Sequence, residues 1–241
     1  MSKNIIILQH IPIETPGYIL DLMKKDNFNL TTIELDQGEK IPDDLSFFDA
    51  MFCMGGPMDT WMEEEYPWLI EEKNKIKEYV LNHKKPYLGF CLGCQLLGEV
   101  LGGKVVKSNP PEIGIMDINM AEDRNTDKLF SEYPAKIKAL QWHSYEVTDL
   151  ENIKDIKILG SSATTKYQIF KYMDYAYGIQ FHIEIKSNTV SQWSCVPEYK
   201  NALEESLGKG ALQKFEEKAK NNMNEMNLSA EILYKNFKQI I

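Results

Sequence analysis

Long apolar runs are missing from this chain of 241 residues, and Ile5–Leu8 is typical of the short ones it has. A membrane helix needs about 20 apolar residues in a row, so no span is expected. The opening Met-Ser-Lys-Asn and the short β-branched run after it lack the longer apolar core and small-residue cleavage site of a signal peptide. Cysteine is scarce: Cys53, Cys91, Cys94 and Cys195 do not make a disulfide framework. Positive charge is in deficit, 27 Lys and Arg against 36 Asp and Glu, for a net charge of −9. No basic run offsets the repulsion a nucleic acid would meet. Internal repeats and low-complexity linkers are also lacking. These absences predict a soluble, cytoplasmic protein of a reducing compartment, with neither nucleic acid nor membrane as partner.

What is present is an ordinary globular composition, 43% apolar and 26% charged, in a chain long enough to bury a core without disulfides or metals. Short β-rich runs alternate with helical patterns over the first half. Ile5–Leu8, Leu30–Leu35, Ala50–Met54 and Pro86–Phe90 read as strands. Helices are expected after Thr15-Pro16, from Pro67, and over Leu92–Leu101. This order predicts an α/β fold with a mostly parallel central sheet covered by helices on both faces. Further strands are expected at Lys104–Lys107, Ile113–Asn119, Ile137–Trp142, Ile156–Leu159, Gln168–Tyr172 and Tyr177–Phe181, some of them antiparallel. A helical segment follows from Thr189. One domain over residues 1–200 is expected, with a helical extension over 201–241 packed back on it. The apolar positions of that extension (Leu203, Leu207, Leu212, Phe215, Leu228, Ile232, Leu233, Phe237, Ile240 and Ile241) could alternatively dock a twin subunit or a synthetase.

The most informative stretch is Gly89-Phe90-Cys91-Leu92-Gly93-Cys94-Gln95, between a strand and a helix. Glycines two before and two after a Cys at such a turn have the spacing of a nucleophile elbow. The helix N-terminus there favours thiolate over thiol. Cys91-x-x-Cys94 also reads as a thiol redox pair, and a buried Cys is often plain packing. Downstream, Tyr177–Glu184 reads as a strand carrying His182 and Glu184 on one face, the base and orienter of a nucleophilic triad. Met54-Gly55-Gly56-Pro57 follows a strand, and the Gly56 N–H could stabilise an oxyanion beside that of Leu92. His143 is a rival base, but no carboxylate sits two residues from it. His10 and His83 read as surface or satisfied histidines. No metal or cofactor is expected.

In combination the sequence resembles the class I, or triad, glutamine amidotransferases. Gly89-x-Cys91-x-Gly93-x-Gln95 matches their nucleophile motif, His182-x-Glu184 their His-x-Glu, and Gly55-Gly56-Pro57 their oxyanion loop. The order is right, and the likeness covers roughly residues 1–200. Within the family it is most similar to free-standing GMP synthase-like members, which share a stretch like Tyr66-Pro67-Trp68-Leu69-Ile70-Glu71-Glu72 and a segment like Trp142-His143. The resemblance implies a flavodoxin-like sheet, Cys91 as nucleophile, His182 as base and acid, Glu184 as its orienter, and Gly56 and Leu92 as oxyanion donors. It also implies that Gln95 touches bound glutamine and that Ser144 and Tyr145 hold its α-carboxylate and amine through backbone groups. Ile183, Ser144 and Tyr145 stand where many relatives have Pro, Gly and Asp. The implied reaction is cleavage of a γ-glutamyl amide, glutamine or another γ-glutamyl compound, through a thioester. An ATP-binding G-x-x-x-x-G-K-[ST] loop and an adenylating Ser-Gly-Gly-x-Asp-Ser signature are both missing, and 57 residues follow Glu184. A separate synthetase subunit, of GMP synthase type, is therefore a possible ammonia acceptor, and a homo-oligomer a possible state.

Overall fold

The computed structural model describes residues 2–241. Its sheet is built from β1 (Asn4–Gln9), β2 (Asn29–Glu34), β3 (Ala50–Cys53), β4 (Tyr87–Phe90), β5 (Lys104–Met120), β6 (Lys136–Thr148), β7 (Ile156–Ser161), β8 (Ile169–Tyr172) and β9 (Ala176–Ile179). The strands lie in the order β2-β1-β3-β4-β9-β8-β7-β5-β6. From β2 to β9 neighbouring strands are parallel; from β9 to β6 they are antiparallel. The helices are α1 (Gly17–Lys25), α2 (Trp68–Lys77), α3 (Leu92–Val100), α4 (Thr189–Trp193), α5 (Pro197–Leu207) and α6 (Leu212–Phe237).

Strands covered on both faces need continuous apolar runs, and β3, β4 and β9 are buried at every position. The edge strand β2 is half exposed, in keeping with its Asn, Thr and Glu. One core joins a sheet face to α1, α4, α5 and α6 through Ile19, Val190, Leu203, Met226, Leu233 and Phe237. The other joins the opposite face to α2 and α3 through Leu69, Ile76, Leu96 and Leu97. The apolar stripe of α6 thus faces the sheet, while Leu207 and Leu228 stay exposed.

Two local expectations are revised. Lys104–Lys107 and Ile113–Asn119 belong to one strand, β5, whose pairing with β6 slips between Lys107 and Glu112. Pro110 and Pro111 lie in that gap, and proline cannot donate to a ladder. His182 lies beyond β9 rather than on it: after Ile179 the chain leaves the β-ladder and His182 instead bridges Leu140 through two backbone bonds of 2.9 and 3.0 Å.

The sheet order positions the site. Because β3, β4 and β9 are parallel neighbours, their C-terminal ends share one edge, the edge where open α/β sheets place ligands. Those ends lead into Gly55-Gly56, Cys91 and His182.

Candidate active site

Cys91 sits between β4 and α3 with φ 48° and ψ −102°, a conformation side-chain-bearing residues avoid and which marks strain at functional sites. The turn is held by the Cys91 N–H to the Ile179 carbonyl (2.8 Å) and the Gly93 N–H to the Met54 carbonyl (3.1 Å). Both glycines are required by space. A Cβ on Gly89 would lie 2.4 Å from the Gly93 carbonyl oxygen, and one on Gly93 would lie 2.2 Å from that of Cys53.

His182 completes a buried line. Its Nδ1 meets Glu184 Oε1 at 2.6 Å, Glu184 Oε2 accepts the Ile183 N–H at 2.9 Å, and the Cys91 sulfur lies near enough to the ring to raise its pKa. Burial pulls the imidazole pKa down, but the Glu184 carboxylate and the Cys91 sulfur outweigh it and hold His182 well above its ordinary value. The ring stands edge-on to Trp193, centroids 4.6 Å apart. Such a line can take a proton from a thiol and return it to a leaving amine.

Gly56 abuts the start of α3: a Cβ there would fall 3.1 Å from Leu92 Cδ2. Leu92 is the first residue of α3, so its N–H has no acceptor inside the helix. Gly56, Cys91, Leu92, Gln95, Ser144 and Tyr145 all line one pocket of about 310 Å³, a volume suited to a small ligand. Gln95 is fixed by its Nε2, which donates to the Tyr145 carbonyl (3.0 Å) and to Gln180 Oε1 (3.2 Å); its Oε1 is left for a ligand. The Tyr145 carbonyl also meets His143 Nδ1 at 2.9 Å.

His143 has a carboxylate after all, from another strand. Glu112 pairs with it across β5 and β6 and reaches Nε2 at 3.2 Å. Glu112 also accepts from Ser162, Thr164 and Gln168; burial alone would raise its pKa, but the bonds from His143, Ser162 and Thr164 bring it down to about 2. With both nitrogens occupied, His143 has none for Cys91, and the rivalry with His182 is removed. His83 is partly exposed beside Glu78. His10 is satisfied but fully buried, between Gly55 and Glu72.

Several residues of the site carry no local signal. Glu14 is buried near His182 and Glu184 and accepts from Tyr199 Oη at 2.6 Å; burial raises its pKa against the opposing pull of His182. Trp193 and Tyr199 come from α4 and α5, and with Trp142 they form an aromatic wall. Cys94 lies fully buried, its Sγ 3.0 Å from where a Cβ on Gly178 would be. Burial pushes its thiol well above the ordinary cysteine value, which disfavours reactivity. His10, Cys53 and Glu72 offer three potential metal-ligand atoms within 4.8 Å of one another, but these atoms already bond among themselves. No described helix is long and apolar enough to cross a membrane.

Known proteins resemble this chain in sequence and fold. The sequence model of "Glutamine amidotransferase class-I" matches residues 18–192. One subunit of the glutamine-hydrolyzing GMP synthase of Sulfolobus acidocaldarius is 33% identical over 149 residues, 61% of this chain and 73% of that protein. The glutamine amidotransferase-like protein YfeJ of Salmonella typhimurium is 25% identical over 90% of both chains. A glutamine amidotransferase crystal structure from Thermotoga maritima superposes with a TM-score of 0.85 at 27% identity, covering 100% of this chain and 98% of that one. The chain belongs to the class I glutamine amidotransferase family.

Proposed function

We propose that the protein hydrolyses a γ-glutamyl amide, with Cys91 as nucleophile, His182 as general base and acid, and Glu184 orienting the imidazole. The observation that carries this is the buried Glu184–His182 pair close to a strained Cys91 at a helix N-terminus. The sulfur attacks the γ-carbonyl, and the N–H groups of Gly56 and Leu92 receive the developing oxyanion. His182 then gives its proton to the departing amine, leaving a γ-glutamyl thioester. Water, deprotonated by His182, cleaves the thioester to glutamate and restores the thiol. Gln95 Oε1 and Ser144 contact the glutamyl moiety. The test is ammonia and glutamate release from L-glutamine by the wild type and Cys91→Ala. Release that depends on Cys91 is expected; equal release by both would overturn the assignment.

Relatives that are subunits of glutamine-hydrolyzing GMP synthases favour a second role for the same chemistry, supply of ammonia to a separate synthetase. Autonomous hydrolysis would be unaffected by such a synthetase, whereas the supply role predicts a strong rise in glutaminase rate when one is added.

Asp59 lines the pocket, and burial raises its carboxyl to about 6. Neutral below that pH and anionic above it, it attracts a substrate ammonium only in the higher range. KM for glutamine is expected to fall about threefold or more as pH rises through 6, the size of a partly exposed ion pair. In Asp59→Asn that inflection should vanish with kcat little changed.

A further inference from the structure

We infer that His10, backed by Glu72, is a positioning residue that locks the Gly55–Gly56 peptide with its N–H turned toward Cys91; this rests on the oxyanion role proposed for Gly56. The lock is built from distant parts of the chain. His10 follows β1 and is fully buried; Nδ1 meets the Gly55 carbonyl at 2.9 Å and Nε2 meets Glu72 Oε1 at 2.9 Å. Trp68 stacks on the ring at 5.5 Å and 26°, and Cys53 Sγ donates to the same Glu72 oxygen at 3.3 Å. The Trp68–Glu72 stretch that the family resemblance singles out thus has its place beneath the oxyanion loop.

The Gly55 carbonyl and the Gly56 N–H belong to one planar trans peptide unit, so they point in opposite directions. Holding the carbonyl toward His10 turns the N–H away from it, and Gly56 lines the same pocket as Cys91 and Leu92. A Gly-Gly pair restrains its own peptide poorly, because both flanking residues tolerate either orientation. The loop therefore needs an external anchor. Glu14 blocks the other side: a Cβ on Gly55 would fall 2.8 Å from its Oε2. Both His10 nitrogens face acceptors, and a ring that must donate from Nδ1 needs its proton there. Burial works against a second proton, but Glu72 and the Gly55 carbonyl together raise the His10 pKa. Glu72 thus keeps the ring oriented toward the Gly55 carbonyl.

The test separates attack on a carbonyl, which needs the oxyanion donors, from simple alkylation, which does not. In a Cys195→Ser background, which removes the exposed thiol, Cys91 is acylated with p-nitrophenyl acetate and alkylated with iodoacetamide. His10→Leu is expected to slow acylation about 100-fold, the size of a lost oxyanion donor, and to leave the alkylation rate and its pH midpoint within about twofold. His10→Asn, whose amide nitrogen can stand at the Nδ1 position, should recover most of the loss. Glu72→Ala, which keeps the ring but removes the group that orients it, should fall between them and serves if His10→Leu does not fold. Equal loss of acylation and alkylation, or His10→Asn no better than His10→Leu, would overturn the inference. Neither assay needs γ-glutamyl recognition. A wild type inactive on glutamine yet showing the acylation split would refute only the substrate. A wild type not acylated at Cys91 would refute the oxyanion assignment itself.

Discussion

His182→Ala is expected to lower the turnover number for glutamine by about 10³- to 10⁴-fold, the upper range for loss of a positioned general base and acid. Two steps lose their proton carrier at once: formation of the thiolate, and protonation of the departing amine. Neither can be taken over by His143, whose nitrogens are held by Glu112 and the Tyr145 carbonyl. Glu184→Gln should cost nearly as much, about 10³- to 10⁴-fold, because one of its two acceptor oxygens becomes an NH2 that must face either Nδ1 or the Ile183 N–H, and the imidazolium loses its counter-charge. Cys94→Ser is expected to stay within about twofold of wild type, since that thiol is fully buried behind the helix and faces Gly178. A thiol redox pair at Cys91 and Cys94 would demand the reverse order. The measurement is ammonia release, with near-UV circular dichroism to verify folding. A His182→Ala enzyme keeping more than about a tenth of its turnover would sink the triad.

What could be read in the sequence and what could not divides along contact distance. Gly89-x-Cys91-x-Gly93 and His182-x-Glu184 are visible because each constraint lies within a few residues: the elbow glycines collide with their own turn and the adjacent strand, and the carboxylate sits two positions from its imidazole. The parallel half of the sheet is visible through its strand–helix alternation. The couples that span the chain are not. Glu112 reaches His143 from 31 residues away because β5 and β6 bring them into register, and a search along the histidine's own strand misses it. His10 meets Glu72 across 62 residues, and Glu14 meets Tyr199 across 185. These pairs depend on which strands are neighbours and on where α5 folds back. The departure of His182 from β9 is hidden for the same reason, since its backbone partner Leu140 belongs to β6. Local chemistry therefore points to the proposed reacting groups, and the topology supplies the groups packed around them.

Gly93→Ala should be the most damaging single-methyl change in the protein's elbow. Its Cβ would lie 2.2 Å from the Cys53 carbonyl oxygen and 2.7 Å from its carbon, both backbone atoms of a fully buried strand. No rotamer change can relieve that contact, so α3 must move away from β3. Moving it breaks the bond from the Gly93 N–H to Met54 and takes Leu92 away from Gly56. A loss of at least about 3 kcal/mol follows from overpacking against a rigid backbone, or roughly 6–12 °C in Tm for a chain of this size. Gly210→Ala is the matched control. It too imposes strain, because Gly210 has φ +78°, but no atom lies within 4 Å of its Cβ. Its cost should be the backbone penalty alone, about 1 kcal/mol, and its activity should be unchanged. Thermal melts of both variants, with Cys91 acylation by p-nitrophenyl acetate measured below the transition, give the comparison. Gly93→Ala should lose acylation even where it remains folded, because the shift separates the nucleophile from its oxyanion donors. Equal melting points for the two variants would mean that α3 is not held against β3 as tightly as the elbow requires.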